Sequence, residues 1–176
     1  MSEQTNQPRS RGEEINAANQ GATVREALGS EAPQACVVDE AADLLDVCLR
    51  LSEVPGVDIV AVTGEAGRLK GIIPVRLLLD ELFLQVAPEE FLADLRVVEG
   101  IEEFGKLSRA RSARDLMQPA VYITMNDSVR RAFRRMHEER LEGLPVVDDE
   151  MRVVGYLHRL QLIQAWLREH RREAGA

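Results

Sequence analysis

The residues of this chain that could take part in chemistry are few and widely spaced. It has three histidines and two cysteines, and no two of them stand at a metal-binding spacing such as His-x-x-x-His or Cys-x-x-Cys. No serine lies in a nucleophile-elbow pattern, and no glycine-rich loop is placed to hold a phosphate. The sequence therefore predicts no catalytic residue and no metal site, and we expect a protein that is not an enzyme.

Four arginines on one predicted helix form a candidate binding surface. Their spacing places them away from the apolar stripe of that helix. The four residues are Arg130, Arg131, Arg134 and Arg135. Glu138 and Glu139 follow the last two arginines at i+4, so one interpretation is a solvated helix face whose charges pair with each other. The other is a docking surface for an acidic partner, such as the acidic first half of another subunit.

Length and charge limit the class of protein. The 176 residues, 45% of them hydrophobic, suit one compact unit or two small units packed together. The net charge of −8 is the sum of −10 in residues 1–100 and +2 in residues 101–176. So acidic a first half argues against binding nucleic acid. There is no apolar run long enough for a membrane span, and residues 1–19 lack the pattern of a signal peptide. We therefore expect a cytoplasmic protein without a membrane partner.

Residues 112–167 contain a readable order of elements. A short β-prone run at 121–124 precedes a helix capped at Ser128, whose apolar residues fall at i, i+3, i+4 and i+7. Two further runs, 144–147 and 152–157, flank a polar turn and predict a hairpin, and a second helix begins near Arg159. The predicted order is β-α-β-β-α.

The same order recurs about 85 residues earlier. The helix positions become Leu44, Val47, Cys48 and Leu51. The run 144–147 becomes 59–62, and one extra residue in the following turn reduces the offset to 84, so that Gly155 matches Gly71. Short helical lead-ins at Thr23 and Ser112 each place a hydroxyl three residues before an acid, which is the capping-box arrangement. The chain therefore contains one unit encoded twice, and each copy alone would bury too little to be stable.

The second copy resembles a CBS domain, above all in Leu-Pro-Val-Val-Asp at 144–148 and Gly-Tyr-Leu at 155–157. Two copies in one chain resemble the tandem pair called a Bateman module. The resemblance implies an α/β (α+β) fold of two βαββα repeats related by a pseudo-twofold axis and often dimerised. The predicted segments are an N-terminal tail (1–21), the first repeat (22–86), a helical insertion (87–111), the second repeat (112–170) and a C-terminal tail (171–176).

The resemblance also implies a ligand site. In nucleotide-binding members a Gly is followed by two apolar residues, a Thr or Ser that holds phosphate, and then an Asp that binds ribose. The second repeat has His158 and Gln161 at those two positions, with Arg159 between them. If a ligand binds, these three would hold its polar part. By family analogy the pocket for the base would comprise Ile123, Thr124, Leu144 and Pro145. In the first repeat, Pro74 and Leu77 remove the hydroxyl and the acid, so that site is expected not to bind.

These features predict a non-catalytic sensor or regulatory module that forms a homodimer and signals through an effector protein it does not contain. It requires no cofactor. Its ligand would be an adenosine-containing nucleotide of the AMP, ADP or ATP type, bound in the cleft of the second repeat. The alternative is a ligand-independent dimerisation or interaction scaffold whose nucleotide sites have degenerated.

Overall fold

The computed structural model describes residues 22–29, 33–86 and 110–174. In the first half, a short helix precedes a β-α-β-β-α unit. Its elements are α1 (Val24–Leu28), β1 (Cys36–Asp39), α2 (Leu44–Ser52), β2 (Ile59–Thr63), a 3₁₀ turn (Glu65–Gly67), β3 (Leu69–Pro74) and α3 (Val75–Val86). Strand β1 pairs with β2 in parallel, and β2 pairs with β3 in antiparallel orientation.

The second half repeats this order. Its elements are α4 (Ala113–Leu116), β4 (Gln118–Pro119), β5 (Ile123–Thr124), α5 (Val129–Glu138), β6 (Gly143–Val147), β7 (Val153–His158) and α6 (Arg159–Ala174). Its three-stranded sheet has the same pairing, β5 parallel to β6 and β6 antiparallel to β7. The register also slips at the equivalent place, after Val62 in one hairpin and after Val146 in the other. The run 144–147 therefore matches 60–63 rather than 59–62 as predicted, because the extra residue of the first repeat lies before β2 and not in the turn after it. The fold prediction of two βαββα repeats is confirmed.

The two lead-in segments cross over to the opposite repeat. Strand β4 belongs by sequence to the second repeat but pairs with β3 of the first. Conversely, the carbonyl of Pro33 accepts a hydrogen bond from the N–H of Tyr156 in β7, at 3.0 Å. Both lead-in helices begin with the predicted capping box, at Thr23 and Ser112. Each repeat is therefore completed by backbone from the other.

The hydrophobic cores follow this exchange. The core of the second repeat includes four buried residues from the first half of the chain, namely Val24, Ala35, Ile59 and Ile72. The core of the first repeat includes Ala110, near the end of the predicted insertion, and Ala113 and Leu116 of α4. At the centre, Arg68 and Arg152, which are equivalent at the 84-residue offset, form an isolated antiparallel bridge. Neither core is made from one half alone, which agrees with the expected instability of a single repeat.

Several details differ from the sequence-based expectations. Phe133, predicted to lie on the buried stripe of α5, has 54% of its surface exposed and stacks on His137. Helix α6 continues to Ala174 and so includes part of the predicted C-terminal tail, because residues 168–173 are mostly good helix formers without a glycine or proline. The predicted tail 1–21 and most of the insertion 87–111 lie outside the described residues.

The two cysteines are free thiols in apolar surroundings. Cys36 is buried in β1 and Cys48 is partly buried in α2. Burial raises the pKa of the Cys36 thiol to about 11, so it stays protonated and unreactive near neutral pH.

Within the ranges that the structure describes, no helix is long and apolar enough to span a bilayer.

Candidate functional site

A cleft of about 330 Å³ opens between the two repeats. Its first wall consists of the lead-in residues Pro33 and Gln34 and the loop 53–57 that follows α2. Its second wall is the end of β7 and the start of α6, where it is lined by Tyr156, His158, Leu160 and Gln161. The site therefore depends on both halves of the chain.

Hydrogen bonds hold the imidazole of His158 on both sides. Its Nδ1 accepts a hydrogen bond from the N–H of Leu160 at 3.1 Å, and its Nε2 lies 3.1 Å from Oδ2 of Asp58. Because Nδ1 is an acceptor, the ring proton is assigned to Nε2, which donates to the carboxylate. In this arrangement the ring of His158 is held in one orientation at the cleft.

Tyr156 fixes the floor of the cleft. Only 2% of its surface is exposed, and its phenol oxygen accepts a hydrogen bond from the N–H of Asp58 at 3.2 Å. Desolvation raises the pKa of the Tyr156 phenol well above its usual value, so the group remains uncharged. Tyr156 thus joins β7 of the second repeat to the start of β2 in the first.

The other two predicted polar residues have different environments. The side-chain oxygen of Gln161 accepts a hydrogen bond from the N–H of His158 at 2.6 Å, and so it caps the strand-to-helix junction. Arg159 pairs with Glu142 at 2.9 Å and donates to the carbonyl of Leu141 at 3.1 Å. It lines a separate cavity of about 510 Å³ together with His137, Glu138, Arg140 and Glu142. The structure therefore brings His158 and Gln161 together and directs Arg159 elsewhere.

The four residues predicted for a base pocket do not line the cleft. Ile123 and Leu144 are 1% and 0% exposed in the core of the second repeat, and Pro145 is also buried. The backbone and hydroxyl of Thr124 both donate to Asp127. Because the lead-in segments are exchanged, the wall opposite His158 comes from the first repeat. The assignment of these four residues to a base pocket stays a prediction, and the lining of the cleft does not support it.

The charge around the cleft is negative. Asp58, with 49% of its side chain exposed, stands beside His158, and Glu53 lines the opposite wall and pairs with Arg50 at 2.7 Å. Among the described residues that line the cleft there is no lysine or arginine. The sequence did not suggest Asp58, because it lies 100 positions from His158.

The equivalent positions in the first repeat are apolar. Pro74, which matches His158, ends β3 opposite Ile59, and Leu77, which matches Gln161, packs against the core of the first repeat. Neither residue offers a side-chain hydrogen bond. Any polar recognition by this motif is therefore confined to the cleft of the second repeat.

The sequence model of the CBS domain family matches residues 113–168. Residues 113–168 form a CBS domain. The match covers the second repeat, and the first repeat has the same strand pairing and hairpin slip. No curated protein matches the chain in sequence.

Solved structures of other CBS-domain proteins share this fold. A CBS-domain-containing protein from Thermotoga maritima superposes with a TM-score of 0.65 at 22% identity, over 84% of this chain and 95% of the other. CBSX2 in complex with AMP gives a TM-score of 0.63 at 22% identity, over 84% and 98% of the two chains. The CBS pair of protein MJ0100, in complex with 5′-methylthioadenosine and S-adenosylmethionine, gives 0.59 at 16% identity, over 84% and 98%.

Proposed function

We propose that this CBS-domain protein is a non-catalytic regulatory module that binds an adenosine-containing ligand in the cleft between its repeats. It forms a homodimer and acts on a separate effector protein. The observation that carries the proposal is the cleft itself. It has an apolar wall, a buried phenol floor and one oriented imidazole, whereas Pro74 and Leu77 make the equivalent motif apolar.

Asp58 replaces the acid that the second-repeat motif lacks. Gln161 stands where a ribose-binding Asp is expected, and its oxygen is occupied by the N–H of His158. The half-exposed carboxylate of Asp58, in contact with His158, supplies an acceptor for sugar hydroxyls from the other side of the cleft. The ligand therefore contacts both halves of the chain, and its binding stabilises their contact.

The charges favour a ligand without a phosphate group. Related structures contain both kinds of adenosyl compound, since CBSX2 holds AMP and protein MJ0100 holds 5′-methylthioadenosine and S-adenosylmethionine. In this chain the guanidinium of Arg159 is paired with Glu142 outside the cleft. The carboxylate of Asp58, by contrast, stands beside His158 at the cleft. A phosphate placed there would be repelled by about 1 kcal/mol or more. We therefore expect neutral or cationic adenosyl compounds to bind more tightly than AMP or ATP.

Thermal unfolding with adenosine, 5′-methylthioadenosine, S-adenosylmethionine, AMP and ATP tests this function. A ligand at 100 times its Kd stabilises by about 2.7 kcal/mol, which raises the midpoint of a chain of this size by roughly 5 to 11 °C. We expect such a shift with the first three compounds and a Kd about tenfold weaker for AMP. Replacing His158 and Gln161 together by alanine should abolish the shift, while Pro74→Ala, at the position in the first repeat that matches His158, should retain it.

Removing the charge of Asp58 should change the preference between ligands. In Asp58→Asn the backbone N–H still donates to Tyr156, but the repulsion of a phosphate is lost. The difference in Kd between AMP and adenosine is expected to shrink by about tenfold, measured by calorimetry. Glu65→Gln, which removes an exposed acid in the turn Glu65–Gly67, is the control and should leave both values unchanged.

A ligand-independent scaffold is the second candidate. The observation in its favour is the apolar surface on the two helices of the first repeat. Leu45 of α2 is 68% exposed and Leu79 of α3 is 58% exposed. If none of the five compounds shifts the unfolding midpoint while the protein remains dimeric, the sensor proposal is contradicted and the scaffold is favoured.

A further inference from the structure

A cavity separate from the cleft lies at the end of α5. Its volume is about 510 Å³, and it opens between the last turn of α5, the loop that follows and the start of α6. Every described residue that lines it has a charged or titratable side chain. These residues are His137, Glu138, Arg140, Glu142 and Arg159. None of the five is among the described residues that line the cleft, so a ligand of this cavity would be recognised by different groups.

Arg140 stands in a position that usually holds glycine. Helix α5 ends at Glu138, and the N–H of Arg140 then donates to the carbonyl of His137 at 3.3 Å. The N–H of Leu141 donates to the carbonyl of Met136 at 2.8 Å. These two hydrogen bonds form a Schellman motif, which requires a left-handed backbone at residue 140. The φ of Arg140 is 54°, a conformation that is unfavourable for a residue with a Cβ.

The first repeat has glycine at the equivalent place. Gly56 lies three residues before β2, as Arg140 lies three residues before β6, and the φ of Gly56 is 82°. Because glycine satisfies this turn, the backbone gives no reason for an arginine. Strained residues that persist in a fold are often retained for what their side chains do. The side chain of Arg140 lines the cavity, so its role lies there.

Arg159 faces the same cavity with its guanidinium held in place. One nitrogen pairs with Glu142 at 2.9 Å, and another donates to the carbonyl of Leu141 at 3.1 Å. A guanidinium has five N–H donors, so these two contacts leave donors for a ligand. The same ion pair neutralises Glu142. Arg159 therefore offers a fixed donor group to the cavity.

The charges of the lining favour an anion. Arg140 is exposed and takes part in no ion pair within the described ranges. The predicted pair of Arg134 with Glu138 does not occur among the ion pairs of the described residues. Glu138 is therefore the one lining carboxylate that no described residue neutralises. The donors of two guanidinium groups outnumber the acceptors of this carboxylate, and so the lining is best completed by further acceptors.

We propose that this cavity binds a small oxyanion, a carboxylate or a phosphate, between the guanidinium groups of Arg140 and Arg159. Both kinds of anion accept paired hydrogen bonds from the fork of an arginine. The imidazole of His137, stacked on Phe133 with 6.5 Å between the ring centres, adds a further polar contact. Glu138 opposes the anion and weakens its binding. The inference does not depend on the ligand proposed for the cleft.

Arg140→Gly tests the site, because it should remove binding while it improves the fold. Inorganic phosphate and acetate are the probes, titrated by calorimetry at constant ionic strength. The Kd of phosphate is expected to rise by about tenfold or more, since the variant loses charge-assisted hydrogen bonds. The midpoint of thermal unfolding without either probe should rise by about 2 to 4 °C, because glycine relieves the left-handed backbone. A loss of binding can then not be attributed to a damaged fold.

Two further variants serve as comparisons. Arg134→Ala removes the same charge from an exposed residue of α5 that does not line the cavity, and it should leave the Kd within about twofold. Glu138→Gln removes the opposing charge and should lower the Kd of phosphate by about threefold or more. Saturable binding of one probe alone identifies the anion as a phosphate or a carboxylate. No saturable binding of either probe, or an equal Kd in Arg140→Gly and the unaltered protein, would overturn the site.

Discussion

Gly143→Ala is expected to lower the midpoint of thermal unfolding by about 2 to 12 °C. A methyl group on this residue, at the start of β6, would collide with the phenol oxygen and ring of Tyr156. Tyr156 is almost fully buried and is held by the hydrogen bond from the N–H of Asp58, and overpacking of this kind costs about 1 to 3 kcal/mol. Circular dichroism at 222 nm measures the change.

The duplication supplies the variant that should rescue this defect. In the first repeat the positions equivalent to Gly143 and Tyr156 hold Ile59 and Ile72, a larger residue facing a smaller one. Combining Gly143→Ala with Tyr156→Ile should therefore recover most of the lost stability, and Tyr156→Ile alone serves as the control. If the two losses simply add, the collision with Tyr156 is not the cause.

Val24→Asp should produce the larger loss, more than about 4 kcal/mol, or about 8 °C or more in the midpoint. Val24 belongs by sequence to the first repeat, but it is 0% exposed in the core of the second. Helix α1 is held there because the N–H groups of Val24 and Arg25 donate to the carbonyls of Asp127 and Met125. A carboxylate at position 24 would be buried in this core without a partner.

The readout for this variant is the fluorescence of Trp166, the single tryptophan of the chain, which lies in α6 of the second repeat. Arg25→Asp is the control, because Arg25 is exposed in the first turn of the same helix, where an acid is tolerated. An unchanged Trp166 transition in Val24→Asp would contradict the exchange of lead-in helices between the repeats.

The sequence alone determined the architecture of each repeat. Apolar residues at i, i+3, i+4 and i+7 predict α2 and α5, since a helix buries one side and this spacing is local. The hairpins and the capping boxes at Thr23 and Ser112 were predictable for the same reason. The exposure of Phe133 was not predictable from the sequence. The pattern identifies an apolar side of the helix, but it does not say how much of that side the neighbouring elements cover.

The composition of the cleft was decided by the tertiary structure. The motif directed attention to His158, Arg159 and Gln161, which are adjacent in sequence, but the fold turns Arg159 toward Glu142 and leaves the other two at the cleft. Asp58 joins them through a contact across 100 residues that no local pattern encodes. That contact lies where the two repeats meet, and there each sheet also completes its hydrogen bonding with backbone from the other repeat. Spacing along the chain therefore predicts the elements, whereas the pairing of distant backbone segments decides which side chains share the site.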